Sequence, residues 1–344
     1  MKVFVAAFET MYGVFDHNPA VISIINDART NYFSSYLAPR LCSRAVRAVR
    51  APNHICDSGA HSFFTATEQD IGEYFKKSQG TRSMKDPDLY VRKYIGWIQR
   101  HWMYYRHFVE LDIQELVGYE KVLKWRQWYK DAGVWSKIIP CFHNCNTMDE
   151  FKAMVDACDS RYVGVEGIRT NRPVLPYLEL TRYCYDNDCR IHAFALTRGS
   201  YLEKYPFYSV DSSTLTYSYR IGLVPTWDPK TGVKLVKVGK RMKKDECVRR
   251  RVSPKLDVRA TRYAVVKETA IWERRIREGL ECYRKMEEYY TRLWCARGVD
   301  WDGIQKRLDA GASVKAGEGR LELQTGGRRE VGKAGGKHKT KRPA

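Results

Sequence analysis

Eight short apolar runs, each followed by a longer polar segment, limit what this chain can fold into more than any other feature. The runs are residues 3–7 (VFVAA), 31–37 (NYFSSYL), 54–56 ahead of Asp57 (HIC), 107–113 (HFVELDI), 137–143 (KIIPCFH), 161–168 (RYVGVEGI), 190–196 (RIHAFAL) and 206–211 (PFYSVD). The segments between them carry helical period: 87–102, 120–133 with a glycine stop, 146–158 with Asn146 or Thr147 as cap, and 174–188. Strands that alternate with helices build a parallel sheet. Eight such units predict an α/β fold, a closed (β/α)8 TIM barrel over residues 1–225, short for that fold but within its range.

In such a barrel the reactive side chains come from the C-terminal ends of the strands. Those ends read Asp57, Asp112, His143, Glu166 and Asp211. A carboxylate at the end of a buried strand is costly unless it is exposed, paired or used. Taken singly, Asp57 suits a turn ahead of Gly59, and Asp211 suits the cap of the next segment. Asp112 suits an ion pair with Arg106. Five ionisable groups from five strands, converging on one mouth, favour catalysis.

Beyond residue 225 the texture changes. Residues 226–320 read as a basic, mainly helical accessory segment. Within it, 268–294 is amphipathic, with Ile271, Ile276, Leu280, Tyr283 and Met286 near helical spacing. That helix packs on the barrel or on a second copy, which leaves a homo-oligomer open. Residues 321–344 hold too few apolar side chains to fold and read as a disordered basic tail. Arg328, Arg329, Lys333, Lys337, Lys339, Lys341 and Arg342 are its candidate phosphate contacts. The whole chain carries 60 Lys and Arg against 40 Asp and Glu, a formal net charge of +20. An excess of that size favours a polyanionic partner, most simply nucleic acid. An aromatic content of 13% suits base stacking as well. No apolar run reaches the length of a membrane span, and the N-terminal residues lack a signal-peptide cleavage site. Ten cysteines without a secretion signal point to reduced thiols in a cytoplasm, a host's if the chain is phage-encoded.

Two of the strand ends resemble a known pair of motifs. DSGAHSFF (57–64) resembles the DSGGFQ or DSGAFS box of the tRNA-guanine transglycosylase family, and VDSST (210–214) resembles its later strand-end aspartate. The wording HAFALT…YLEKYPFYSVDSST is similar to the phage, DpdA-like branch, whose members exchange guanine in DNA for a 7-deazaguanine such as preQ0. The resemblance spans roughly residues 1–220, with YVGVEGI between the two boxes. It implies a pentosyltransferase in which Asp211 is the nucleophile and Asp57 the acid/base. Asp112 would hold the purine edge, while His143, Glu166 and Gly167 line the base pocket and Ser58 and Gly59 shape the loop beside Asp57. His61 stands where the family stacks an aromatic ring on the base. Glu166 stands where the family has a Gly–Gly pair, so here its carboxylate is available to an exocyclic amine. The family's zinc cluster of closely spaced cysteines is not recognisable, and no metal or cofactor is expected. The ligand sets to weigh against that are Cys184, Cys189 and His192, and Cys141, His143 and Cys145. The resemblance implies DNA and a free 7-deazaguanine base as substrates, with tRNA as the alternative. A barrel that binds nucleic acid without turnover is the competing class.

Overall fold

A computed structural model describes residues 1–16, 18–60, 63, 86–167, 174–218, 223–230, 232–237 and 269–310. Through most of this length strands and helices alternate. They run β1 (Lys2–Ala6), α1 (Phe8–Phe15), α2 (Pro19–Asp27), β2 (Asn31–Ser35), α3 (Pro39–Ala48), β3 (His54–Asp57), α4 (Pro87–His101) and β4 (His107–Val109). Next come α5 (Gln114–Val117), α6 (Tyr119–Asp131), β5 (Ile138–Ile139), β6 (Cys141–Phe142), α7 (Met148–Asp156), β7 (Tyr162–Val165), α8 (Tyr177–Asp186) and β8 (Arg190–Ala193). The rest are α9 (Gly199–Leu202), β9 (Ser209–Ser212), α10 (Thr214–Ser218), β10 (Leu223–Asp228), β11 (Gly232–Lys237), α11 (Thr269–Ala296) and α12 (Trp301–Asp309).

The main sheet has nine strands in the order β5-β4-β3-β2-β1-β9-β8-β7-β6, and its ladders are parallel. Its two edges, β5 and β6, are halves of the single run expected at 137–143. Pro140 divides them because it has no N–H to give to a ladder. The ring therefore closes on itself through that one interrupted strand, as a TIM-like barrel. The break is bridged from the helix layer: the Cys141 N–H donates to Glu110 Oε1 at 2.6 Å, and the Glu110 carboxylate is held by Arg126 of α6 through Nε (2.9 Å) and NH2 (2.7 Å).

The helices around the ring begin where their sequences signal it. Asp86 caps α4 by accepting the Leu89 N–H at 3.1 Å, with Pro87 in the first turn. Of the two caps weighed for α7, Thr147 is the one used: it forms a reciprocal capping box with Glu150.

The long amphipathic helix α11 packs on the barrel itself. Ile276, Leu280, Tyr283, Met286, Tyr290 and Trp294 all enter the barrel's hydrophobic cluster. Its middle meets the mouth end of β9, where the Tyr283 hydroxyl donates to the Ser212 carbonyl at 3.1 Å. Farther on it reaches the start of β1 and β2: Glu287 Oε2 accepts the Val3 N–H at 2.9 Å and Asn31 Nδ2 at 2.7 Å. It thus runs antiparallel to the strands, in the position that the helix after the eighth strand takes in such a barrel. Gly279 allows the close approach, since a Cβ there would stand 2.1 Å from Leu215 Cδ1. The described residues 269–310 are therefore helical and integral to the core. No described helix is long and apolar enough to cross a membrane.

Glu287→Ala should leave two donors at the base of the barrel unsatisfied and lower stability by about 2–3 kcal/mol in urea unfolding. Glu287→Gln keeps an acceptor at that position and should lose less. Equal losses would remove the hydrogen bonds as the reason.

Candidate active site

Asp57 is the last residue of β3, at the mouth of the barrel. Its Oδ2 accepts the Gly59 N–H at 2.9 Å, so the turn weighed as a plain structural role does form. Gly59 sits at φ +85°, a left-handed conformation that favours glycine. Ser58 is fully buried, and its carbonyl accepts the Tyr90 hydroxyl at 2.6 Å. The turn fixes the carboxyl group at the mouth without neutralising it. Burial pushes the Asp57 pKa up to about 7 against the opposing Gly59 N–H, and the charges of Asp211 and Asp112 add smaller pushes in the same upward direction. The two aspartates thus sense each other across one opening.

Asp211 is the third residue of β9 and is only 6% exposed. It does not cap the following helix: Ser212 Oγ accepts the Thr214 N–H there, at 3.1 Å. Instead Asp211 Oδ1 accepts the Ala195 N–H at 2.7 Å and faces His192 Nε2 at 3.2 Å. Ala195 adopts φ +52°, a strained value for a residue with a side chain, and the turn so formed aims its N–H at the carboxylate.

Three more of the expected residues form one cluster. Asp112 lies just beyond β4 and pairs through Oδ1 with His143 Nε2, rather than with Arg106. On the other side of the ring, His143 Nδ1 faces Glu166 Oε2 at 3.6 Å. Burial alone would lower the His143 pKa, but Asp112 and Glu166 overcome it and raise the value to about 10. His143 is therefore an imidazolium at neutral pH, held between two carboxylates. Glu166 is turned inward, because its Oε1 also accepts the Asn144 N–H at 2.9 Å. This corrects its expected availability to an exocyclic amine: the more exposed Asp112 carboxylate, at 20% against 6%, is the one that reaches the mouth. Gly167 is obligatory, since a Cβ there would meet the Phe194 carbonyl oxygen at 2.1 Å. A cavity of about 190 Å³, lined by Phe142, Asn144, Asn146, Met148, Leu175 and Pro176, adjoins this side of the mouth, although none of the five strand-end residues lines it.

The structure does not gather Cys184, Cys189 and His192 into a metal site. The two thiols are buried, and both imidazole nitrogens are taken, Nδ1 by Ser209 and Nε2 by Asp211. Cys141 is buried and Cys145 is exposed, while His143 belongs to the carboxylates. Among the described residues, Glu115, His143 and Glu166 do present ligand atoms within 4.8 Å of one another. A cation there would have to displace the imidazolium proton that already offsets part of the pocket's negative charge.

Sequence reasoning missed two residues at this mouth. Glu9, at the start of α1, is buried, and its Oε2 accepts the Ser35 N–H at 3.0 Å. Its position after the first strand was the signal for it. His192 was weighed only as a zinc ligand; its place one residue before the end of strand β8 (Arg190–Ala193), on the inward face, was the signal for its contact with Asp211. His61 lies outside the described residues, as do Arg328, Arg329, Lys333, Lys337, Lys339, Lys341 and Arg342. Neither a scan against protein-family models nor a search of curated proteins finds a match to this chain.

Removing the imidazolium should expose the repulsion it masks. His143→Gln should cost about 3–5 kcal/mol at pH 6, the range for breaking a buried ion pair. A histidine pKa raised in the folded state contributes stability that is complete below its ordinary value of 6.5 and is lost as pH rises through about 10. The gap between wild type and His143→Gln should therefore close between pH 7 and pH 10 in urea unfolding. A gap that stays constant over this range would contradict the charged pair.

Proposed function

We propose that this chain is a base-exchange transglycosylase that replaces guanine in DNA with a 7-deazaguanine derivative through a covalent glycosyl intermediate on Asp211. The observation that carries the reading is the pair Asp57 and Asp211 at one barrel mouth, in opposite chemical environments. One is partly buried and pushed up to about 7; the other is anchored through one oxygen by an N–H and an imidazole.

Retaining glycosyl transfer needs this division of labour. Asp211 Oδ2 attacks C1′ of the target nucleotide; the C1′–N9 bond breaks and an Asp211 ester forms. The Asp57 carboxylic acid gives its proton to the departing guanine. An incoming 7-deazaguanine then gives its N9 proton to the Asp57 carboxylate, N9 bonds to C1′, and the Asp211 carboxylate leaves. Atoms and charge balance with no cofactor. A carboxyl group that titrates near 7 serves both halves of that cycle. Asp112 supplies an acceptor for the N–H groups on the purine edge, and His143 pairs with it from inside the protein. A base stacked in a duplex hides C1′, so the target nucleotide must be flipped out or single-stranded. The net charge of +20 supports a phosphate-rich substrate. The resemblance of the Asp57 and Asp211 boxes to the phage transglycosylase branch supports DNA over tRNA.

Mixing wild-type protein with guanine-containing DNA and trapping by denaturation should yield a protein–DNA adduct that vanishes in Asp211→Asn. An active Asp211→Asn would sink the mechanism, and an adduct formed with tRNA alone would move the substrate class. Asp57→Asn should lose exchange by loss of the proton donor and yet gain stability. An aspartate pKa raised in the fold makes ionisation costly, so wild type loses stability as pH rises from about 4 to about 7. Above pH 7 Asp57→Asn should be more stable than wild type by roughly 1–3 kcal/mol, with the difference vanishing near pH 4. Equal stability at pH 8 would mean that Asp57 titrates like an ordinary exposed aspartate.

A further inference from the structure

We propose that His192, Ser209 and Tyr162 form a one-way hydrogen-bond chain through the barrel core that fixes the Asp211 carboxylate, with His192 as a positioning residue for the nucleophile. The inference deepens the transglycosylase reading and rests on it for its kinetic consequences; the direction of the chain rests on geometry alone.

With a neutral imidazole the chain has one consistent order. Asp211 Oδ1 lies 3.2 Å from His192 Nε2, and a carboxylate can only accept, so Nε2 carries the hydrogen. Nδ1 then offers a lone pair to Ser209 Oγ, 2.7 Å away, and the Ser209 hydroxyl donates to it. Ser209 Oγ is in turn in contact with the Tyr162 hydroxyl, which donates its proton to it. Burial pushes the Tyr162 pKa well above its ordinary value, so that hydroxyl keeps its proton. His192 and Ser209 are fully buried and Tyr162 is 1% exposed, so no water competes. Every donor in the chain points toward Asp211.

The packing holds the imidazole in this orientation. Phe33 stacks on the His192 ring at 5.4 Å with an interplanar angle of 1°, and Phe4 meets it edge-on at 6.0 Å. The Ala195 N–H donates to the same Oδ1 at 2.7 Å. Two donors on Oδ1 set the carboxylate plane and leave Oδ2 as the attacking oxygen. After attack, Oδ1 becomes the carbonyl oxygen of the glycosyl ester. When the incoming base displaces the ester, negative charge returns to Oδ1, and the Nε2–H is already in place to receive it. The chain should therefore matter most in the second half of the cycle, where Asp211 is the leaving group.

Nitrogen-15 NMR of histidine-labelled, full-length protein tests the direction without any variant. Wild-type His192 should be the tautomer with hydrogen on Nε2; hydrogen on Nδ1 alone, or on both nitrogens at pH 7, would overturn the chain. Ser209→Ala removes the donor to Nδ1 and should shift the Nδ1 resonance while the hydrogen stays on Nε2; an unchanged Nδ1 resonance would also overturn it. In exchange kinetics His192→Phe should lower kcat about 10- to 100-fold with little change in KM, the scale of one charge-assisted hydrogen bond. The trapped Asp211 adduct should persist longer in this variant than in wild type. His192→Gln, which can still donate to Asp211, should recover part of the rate. Equal losses in Phe and Gln variants that both fold would reduce His192 to a packing residue. If Asp211→Asn keeps full activity, the transglycosylase reading fails while the tautomer result still decides the chain.

Discussion

One buried cation lets several carboxylates share a single opening. Asp57, Asp112 and Asp211 reach the mouth of the barrel with Glu166 turned inward behind it, and the charges of Asp211 and Asp112 add to the upward push that burial gives Asp57. Four carboxylates at and behind one rim would repel each other and the phosphates of a substrate. The His143 imidazolium, held between Asp112 and Glu166, compensates part of that charge from inside the protein. Burial first, and the remaining imbalance after it, act on Asp57, the group that the proposed chemistry requires to hold a proton near neutral pH. The parallel barrel makes this possible because all its strand ends face the same way.

The molecule divides its support of the two aspartates differently. Asp57 is fixed by its own turn, through the Gly59 N–H two residues on. Asp211 is fixed by the neighbouring strand, through the Ala195 N–H and the His192 imidazole. A group that accepts and returns a proton tolerates local fastening. A nucleophile that must become a leaving group gains from donors outside its own segment, because these stay in place as its charge changes.

Strand order, the barrel class and the two strand-end aspartates were legible in the sequence because each rests on short-range pattern: apolar runs, helical period and the residue that ends each run. The interruption at Pro140 was visible as a proline, but its effect was not, since a closed ring tolerates one break only if Glu110 and Arg126 bridge it from other elements. The amphipathic stripe on α11 was legible, and its position beside β1 and β9 was not; that depends on Gly279 admitting Leu215 and on Glu287 reaching Val3, contacts far apart in sequence. Glu166 had the right position and the wrong orientation, because its inward hydrogen bond to Asn144 has no sequence signature. His192 was hidden for the same reason: a histidine near cysteines suggests a metal until the strand's inward face turns it toward Asp211.

The central claim is that this barrel exchanges a base in DNA. Nucleoside analysis by mass spectrometry tests it most directly, on DNA and tRNA digested from cells that express the wild-type chain or Asp211→Asn in the presence of a 7-deazaguanine base. The account predicts a 7-deaza-2′-deoxyguanosine derivative in DNA from wild-type cells and none from Asp211→Asn cells. Unmodified DNA in both, or the same modified nucleoside in both, would contradict it.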